Sequence, residues 1–203
     1  MKSRVRSFAV AALLGAVGVT PLRGQIQLQA ANLYVYGGGY SAVHNVFNLN
    51  TGTIDDFKTG FDVGGGVGLQ IHQYLEVRAT LTGAQSHLRV NGAETGRYLN
   101  RYYVGADLKG QYPLPSDVTP YGLAGAGVVI LHEKGTTGGN KAQGFGHLGL
   151  GVAYPIRGQL SVFVQGDGFF YSLSGLSGGA LSVYSSAQRD IAWSAGVSYR
   201  FAL

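Results

Sequence analysis

The chain of 203 residues contains no cysteine, which excludes a disulfide framework and any thiolate metal site. Charge is scarce: Asp, Glu, Lys and Arg make up only 12% of the chain, where a soluble surface usually calls for about a quarter. Long apolar runs are missing too. Beyond the first 24 residues, the longest uncharged, mostly apolar stretch runs from Tyr121 to Leu131, too short for a membrane helix but the length of a tilted membrane strand. What is plentiful is glycine, 34 residues, and tyrosine, 13. So much glycine argues against a helical bundle, and 45% hydrophobic content argues against disorder.

The formal net charge of +5 is unevenly placed. Lys2, Arg4, Arg6 and Arg23 lie in the first 24 residues, which hold no acid. Beyond them the two signs nearly balance. No basic patch remains, so a nucleic-acid partner is not expected. Residues 1–24 read as a secretory signal peptide: a basic start, an apolar run from Phe8 to Val19, then Pro21 and Gly24 before a cleavage point at Gln25. Ala30 and Ala31 are alternative cleavage points. The apolar run is too short for an uncleaved anchor. Residues 25–203 form one exported domain.

Period-two alternation recurs through that domain. In the last segment Ile191, Trp193, Ala195, Val197, Tyr199 and Phe201 share one face, and Asp190, Ala192, Ser194, Gly196, Ser198 and Arg200 the other. Leu75, Val77, Ala79 and Leu81 oppose Glu76, Arg78, Thr80 and Thr82 in the same way. Eight such segments are expected, at about 31–43, 58–71, 74–90, 98–112, 119–133, 144–155, 159–172 and 188–202. In the first, Tyr34 and Tyr36 compete with Leu33 and Val35 for the apolar face. The links at 72–73, 113–118 and 156–158 are short. Those at 44–57, 91–97, 134–143 and 173–187 are mostly longer and rich in Gly, Ser, Thr and Asn. An even strand number with short turns at one end and long loops at the other predicts an all-β, antiparallel up-and-down transmembrane barrel.

The polar face decides which side meets lipid. It is built from Gly, Ala, Ser and Thr with a few charges, not from the Lys and Glu of a solvated surface. Small residues suit the crowded inside of eight strands, so the apolar face is expected outside. Tyr74, Tyr112, Tyr121, Tyr154, Tyr199 and Phe201 at the short-turn ends, and Tyr98, Tyr102, Phe170 and Tyr171 at the long-loop ends, suggest two interfacial belts.

The chain resembles the eight-stranded outer-membrane barrels, namely the OmpA transmembrane domain, OmpX and the opacity-like porins. The resemblance covers residues 31–203 and rests on "YVYGGGYS", "GFDVGGGVGLQI" and the closing "WSAGVSYRF". It implies the outer membrane of a Gram-negative-type cell, with lipid and lipopolysaccharide as surroundings, and a monomer without cofactor. It also implies that Phe201 is the terminal aromatic read by the barrel-assembly machinery. Ala202 and Leu203 follow it, a departure from the family pattern.

Catalytic constellations are weak. His44, His72, His87, His132 and His147 lack metal-ligand spacing. His72 is expected in a tight turn and His44 in a loop. Lipid A deacylases of this shape carry a His–x–Ser motif, but Leu148 and Gly149 follow His147. Ser86 and His87 are strand neighbours that point to opposite faces. The glycine strings end in no lysine–serine pair and open no helix, so they are not phosphate loops. The more informative set is the inward charges: Asp62, Glu76, Arg78, Arg101, Asp107, Lys109, Asp167, Asp190 and Arg200. Confined charges must pair. Glu76, Arg78, Asp107 and Lys109, on hairpin partners, are expected to form one cluster. A salt-bridged plug is favoured over a gated pore, because eight strands enclose little room. The expectation is a non-enzymatic membrane barrel serving envelope integrity or surface contact. A small-solute channel, a lipid A-modifying enzyme and a soluble lipocalin-like binding barrel are the alternatives.

Overall fold

The computed structural model describes residues 28–43, 46–48, 53–90, 93–134, 140–176 and 183–203. The signal-peptide segment and His44 lie outside the described residues. The elements are β1 (Ala30–Ala42), β2 (Val46–Asn48), β3 (Thr53–Phe57), β4 (Gly60–His72), β5 (Leu75–Val90), β6 (Ala93–Gln111), β7 (Thr119–Lys134), β8 (Lys141–Arg157), β9 (Leu160–Leu176) and β10 (Val183–Ala202). Eight of them close a barrel. Each pairs antiparallel with its neighbour along the chain, and β1 pairs with β10 from Ala30↔Ala202 to Ala42↔Asp190. Closure leaves the barrel without a free edge, the condition for strands to span lipid.

The remaining two strands correct the expectation of a loop at 44–57. β2 and β3 form a small hairpin, and β3 pairs with the end of β5 through Asp55↔Val90 and Phe57↔Leu88. The expected loop at 91–97 is also mostly strand, because β5 and β6 continue past the barrel rim to Val90↔Ala93. At the other end Gly158 turns the chain between β8 and β9 with φ of 57°, a left-handed conformation that glycine adopts without a Cβ clash.

The barrel is apolar outside and polar inside. Leu150 is 74% exposed, Trp193 70% and Val164 60%, and they belong to a band with Leu33, Val35, Phe61, Val63, Val67, Leu81, Val104 and Leu148. Water-soluble monomers rarely expose contiguous apolar patches above a few hundred Å², so this surface is solvated by lipid. A soluble lipocalin-like barrel would carry the reverse pattern. The competition in β1 resolves with Leu33 and Val35 outward and Tyr34, Tyr36 and Tyr40 buried inward.

The belts are narrower than expected. Tyr74, Tyr112, Tyr154, Tyr199 and Phe201 are exposed at the short-turn end, with Tyr74 stacked on Tyr112 at 5.8 Å, and Tyr102 and Phe170 are exposed toward the loops. Tyr121 and Tyr171 instead point inward, because the lumen offers their hydroxyls partners: Tyr121 donates to Gln165 and Tyr171 to Asp190. A buried phenol needs such a partner.

Candidate functional site

The inward faces fill the barrel in layers, each tied across several strands. Nearest the short turns, β5 and β6 place Glu76 directly opposite Lys109, with Nζ 3.7 Å from Oε2. Tyr34 donates to Oε1 of Glu76 at 2.6 Å and Asn32 to Oε2 at 2.9 Å. Lys109 donates in turn to the Tyr34 hydroxyl at 3.3 Å. Glu76 thus has partners from β1 and β6, the condition for holding a buried carboxylate. The space it occupies is left open by Gly68, where an added Cβ would land on the Glu76 carboxylate.

The middle layer centres on a residue that the sequence reading set aside. His147 lies between two carboxylates: Nδ1 is 2.6 Å from Asp107 Oδ1 and Nε2 is 2.9 Å from Asp167 Oδ1. Its ring stacks on Phe169 at 4.8 Å, with 9° between the planes. Arg78 Nη2 stands 3.8 Å from the other oxygen of Asp107, which also accepts from Thr80. Gln165 donates to Asp167 Oδ2 at 2.7 Å. Asp62 accepts from Ser194 at 2.9 Å. The ladder explains the meeting of β6 with β8. Asp107, Gly125 and His147 are consecutive partners across β6, β7 and β8. Gly125 carries no side chain, so the two outer residues touch over it, and an added Cβ there would strike the Asp107 carboxylate.

Toward the loops, Asp190 Oδ2 accepts from Tyr103 at 2.6 Å and from Tyr171 at 2.7 Å, and Tyr40 donates to the same oxygen. Arg101 Nε lies 3.5 Å from that oxygen, and Nη1 donates to Ser86 at 2.6 Å. The guanidinium also sits 4.6 Å from the Phe57 ring centroid, a cation–π contact. Phe57 joins Leu88, Leu99 and Leu131 in an apolar cluster that also holds Tyr103, Phe145 and Phe169, so the hairpin of the first loop packs onto the core around Arg101.

Of the nine charges singled out from sequence, eight are buried: Asp62, Glu76, Arg78, Arg101, Asp107, Lys109, Asp167 and Asp190. Arg200 keeps the inward side of β10 but is exposed at the short-turn mouth. The expected four-residue cluster forms as the two facing pairs Glu76–Lys109 and Arg78–Asp107. What the sequence reading missed is the His147 bridge. The signal was available, since His147 shares the inward register of Phe145 and Gly149, but spacing along the chain cannot show contacts made across the barrel. The other described histidines are peripheral. His72 ends β4 and accepts from the Tyr74 backbone amide, His87 packs on Tyr98 at 4.3 Å, and His132 bonds Asn140 at 2.6 Å. Ser86 and His87 do face opposite ways. Above the rim, Lys58 bonds Glu94 at 2.7 Å and holds that exposed carboxyl below the usual carboxylate range.

Open space is interrupted. A cavity of about 320 Å³ opens at the short-turn mouth and reaches Tyr34, Glu76 and Lys109. Beyond them, the void between Arg78, His147 and Tyr103 measures about 10 Å³, room for roughly one water molecule.

Comparison with known proteins agrees with this geometry. The fold matches the crystal structure of Neisserial surface protein A, with a TM-score of 0.56 at 15% identity, covering 83% of this chain and 97% of that one. It matches OprG of Pseudomonas aeruginosa, with a TM-score of 0.57 at 15% identity, covering 87% and 98%. It matches the outer membrane protein AlkL, determined in lipid bilayers, with a TM-score of 0.54 at 13% identity, covering 90% and 95%. No curated protein matches the sequence. The sequence profile of the outer membrane protein beta-barrel domain matches residues 9–201. The filled, lipid-faced barrel is thus a protein of the outer membrane, and the chain belongs to the outer membrane protein β-barrel domain family.

Proposed function

We propose that this chain is a closed, non-enzymatic membrane anchor, serving envelope integrity or surface contact through the loops at its long-loop end. The observation that carries the reading is the filling of the lumen: ion pairs at Glu76–Lys109, Arg78–Asp107 and Arg101–Asp190, with buried apolar and aromatic side chains packed among them. Solutes would have to break these pairs to pass, and an unpaired buried charge is costly. The adjacent serine and histidine of β5 do not form a nucleophile–base pair. Ser86 is engaged by Arg101, and His87 packs against Tyr98 on the opposite face.

In this reading the partners are outer-membrane lipid and lipopolysaccharide around the apolar band, and the barrel-assembly machinery during biogenesis, with Phe201 as its signal. The folded protein is a monomer. Liposome swelling tests the closed state: vesicles carrying refolded protein should swell in small sugars no faster than empty vesicles. Rapid swelling would favour a small-solute channel instead.

A further inference from the structure

We propose that His147 is a resident cation of the barrel core, doubly protonated in the folded protein, and that it latches the lumen shut by bridging Asp107 and Asp167. The inference deepens the closed-barrel reading and rests on it.

The first support is geometry. A neutral imidazole offers one N–H donor and one bare nitrogen acceptor. Here both ring nitrogens lie within hydrogen-bond distance of carboxylate oxygens, 2.6 Å from Asp107 and 2.9 Å from Asp167. An ionised carboxylate only accepts, so a neutral ring would set its lone pair against one of them. Two N–H groups satisfy both.

The second support is charge balance. Among the described residues the buried lumen holds five carboxylates, Asp62, Glu76, Asp107, Asp167 and Asp190, against the three cations Arg78, Arg101 and Lys109. A protonated His147 supplies a fourth. Among the described residues the other buried cations are paired elsewhere: Arg78 with Asp107, Lys109 with Glu76 and Arg101 with Asp190. The groups facing His147 from other strands are Asp107 and Tyr103 of β6, Asp167 and Gln165 of β9, Arg78 of β5 and Tyr36 of β1. Only Asp107 and Asp167 among them meet the ring nitrogens.

The third support is position. The bridge joins β6, β8 and β9 beside a small void of the lumen, about 10 Å³. Without the cation, Asp107 and Asp167 would repel across that void. Separation of the two carboxylates would widen the constriction and admit water.

The test uses full-length protein refolded in lipid. Histidine side-chain ¹⁵N NMR at neutral pH, with the His147 signals assigned by their loss in His147→Gln, should show two protonated nitrogens in strong hydrogen bonds. One protonated and one bare nitrogen would overturn the proposal, whatever the variants do. In planar bilayers His147→Gln should raise ion leakage about tenfold and lower the melting temperature by roughly 5–10 °C, the scale expected for an orphaned buried charge. Adding Asp167→Asn should restore most of both, because the surplus negative charge goes with it. Leakage and stability of His147→Gln equal to wild type, or no rescue by Asp167→Asn, would overturn the latch. If the wild-type barrel itself conducts strongly, the closed-barrel reading fails, while the NMR spectrum still decides the charge of His147.

Discussion

Arg101 of β6 and Asp190 of β10, on strands that are not neighbours in the sheet, meet inside the barrel with Nε 3.5 Å from Oδ2 and no exposed side-chain surface. Three phenols, Tyr40, Tyr103 and Tyr171, donate to the same oxygen. Removing the carboxylate therefore strands a buried guanidinium and three hydroxyls together. Asp190→Ala should destabilise the barrel by about 3–5 kcal/mol, the range for orphaning a buried ionic partner. Urea unfolding in lipid followed by the fluorescence of Trp193, the single tryptophan, reads this directly. The double variant Arg101→Met, Asp190→Leu should recover much of the loss, since an apolar pair leaves no charge behind.

The faces of β10 give a second prediction. Ser194 is buried against Asp62, while Ala195 and Val197 are exposed on the band that meets lipid. Single cysteines at Ile191, Ala195 and Val197 should resist water-soluble thiol reagents in bilayers and lie within reach of lipid-borne quenchers. Arginine at Ala195 should cost about 2–4 kcal/mol near the bilayer midplane, more than lysine at Ser194, which would face the Asp62 carboxylate. Equal tolerance at the two sites would contradict the register.

Phe201 offers a third. Its ring is exposed on the lipid side of the last strand and packs edge-on against Tyr199 at 4.7 Å, so it holds no part of the lumen. Phe201→Ala should reduce the amount of folded barrel in cells severalfold while refolding in detergent proceeds to nearly the wild-type yield. Equal losses in both settings would make the residue a packing element rather than an assembly signal.

The legibility of this protein followed its contact with lipid. Within the bilayer every second residue must be apolar, so eight strands and their inward charges could be read from alternation alone. Outside the bilayer that constraint vanishes. β3 with its two acids, Asp55 and Asp56, and the polar start of β6 at Ala93–Arg97 carry no alternation, so their sequences predict loop. Tyr121 and Tyr171 are ambiguous in sequence because a phenol suits either an interface or a polar lumen, and only the partners Gln165 and Asp190 decide between them. His147 escaped for a related reason. Its significance lies in Asp107, two strands away across the side-chain-free Gly125, and a contact of that kind emerges only once the register of three strands is known.

The measurement that bears most directly on the closed lumen is conductance in planar bilayers, with thermal melting recorded on the same preparations. The wild-type barrel should show little or no steady current, because Glu76–Lys109, Arg78–Asp107 and Arg101–Asp190 occupy successive depths of the lumen. Arg78→Ala removes a cation 3.8 Å from Asp107 and should raise leakage and lower the melting temperature together. A large, stable wild-type conductance, or an Arg78→Ala barrel that melts early without leaking, would contradict the account.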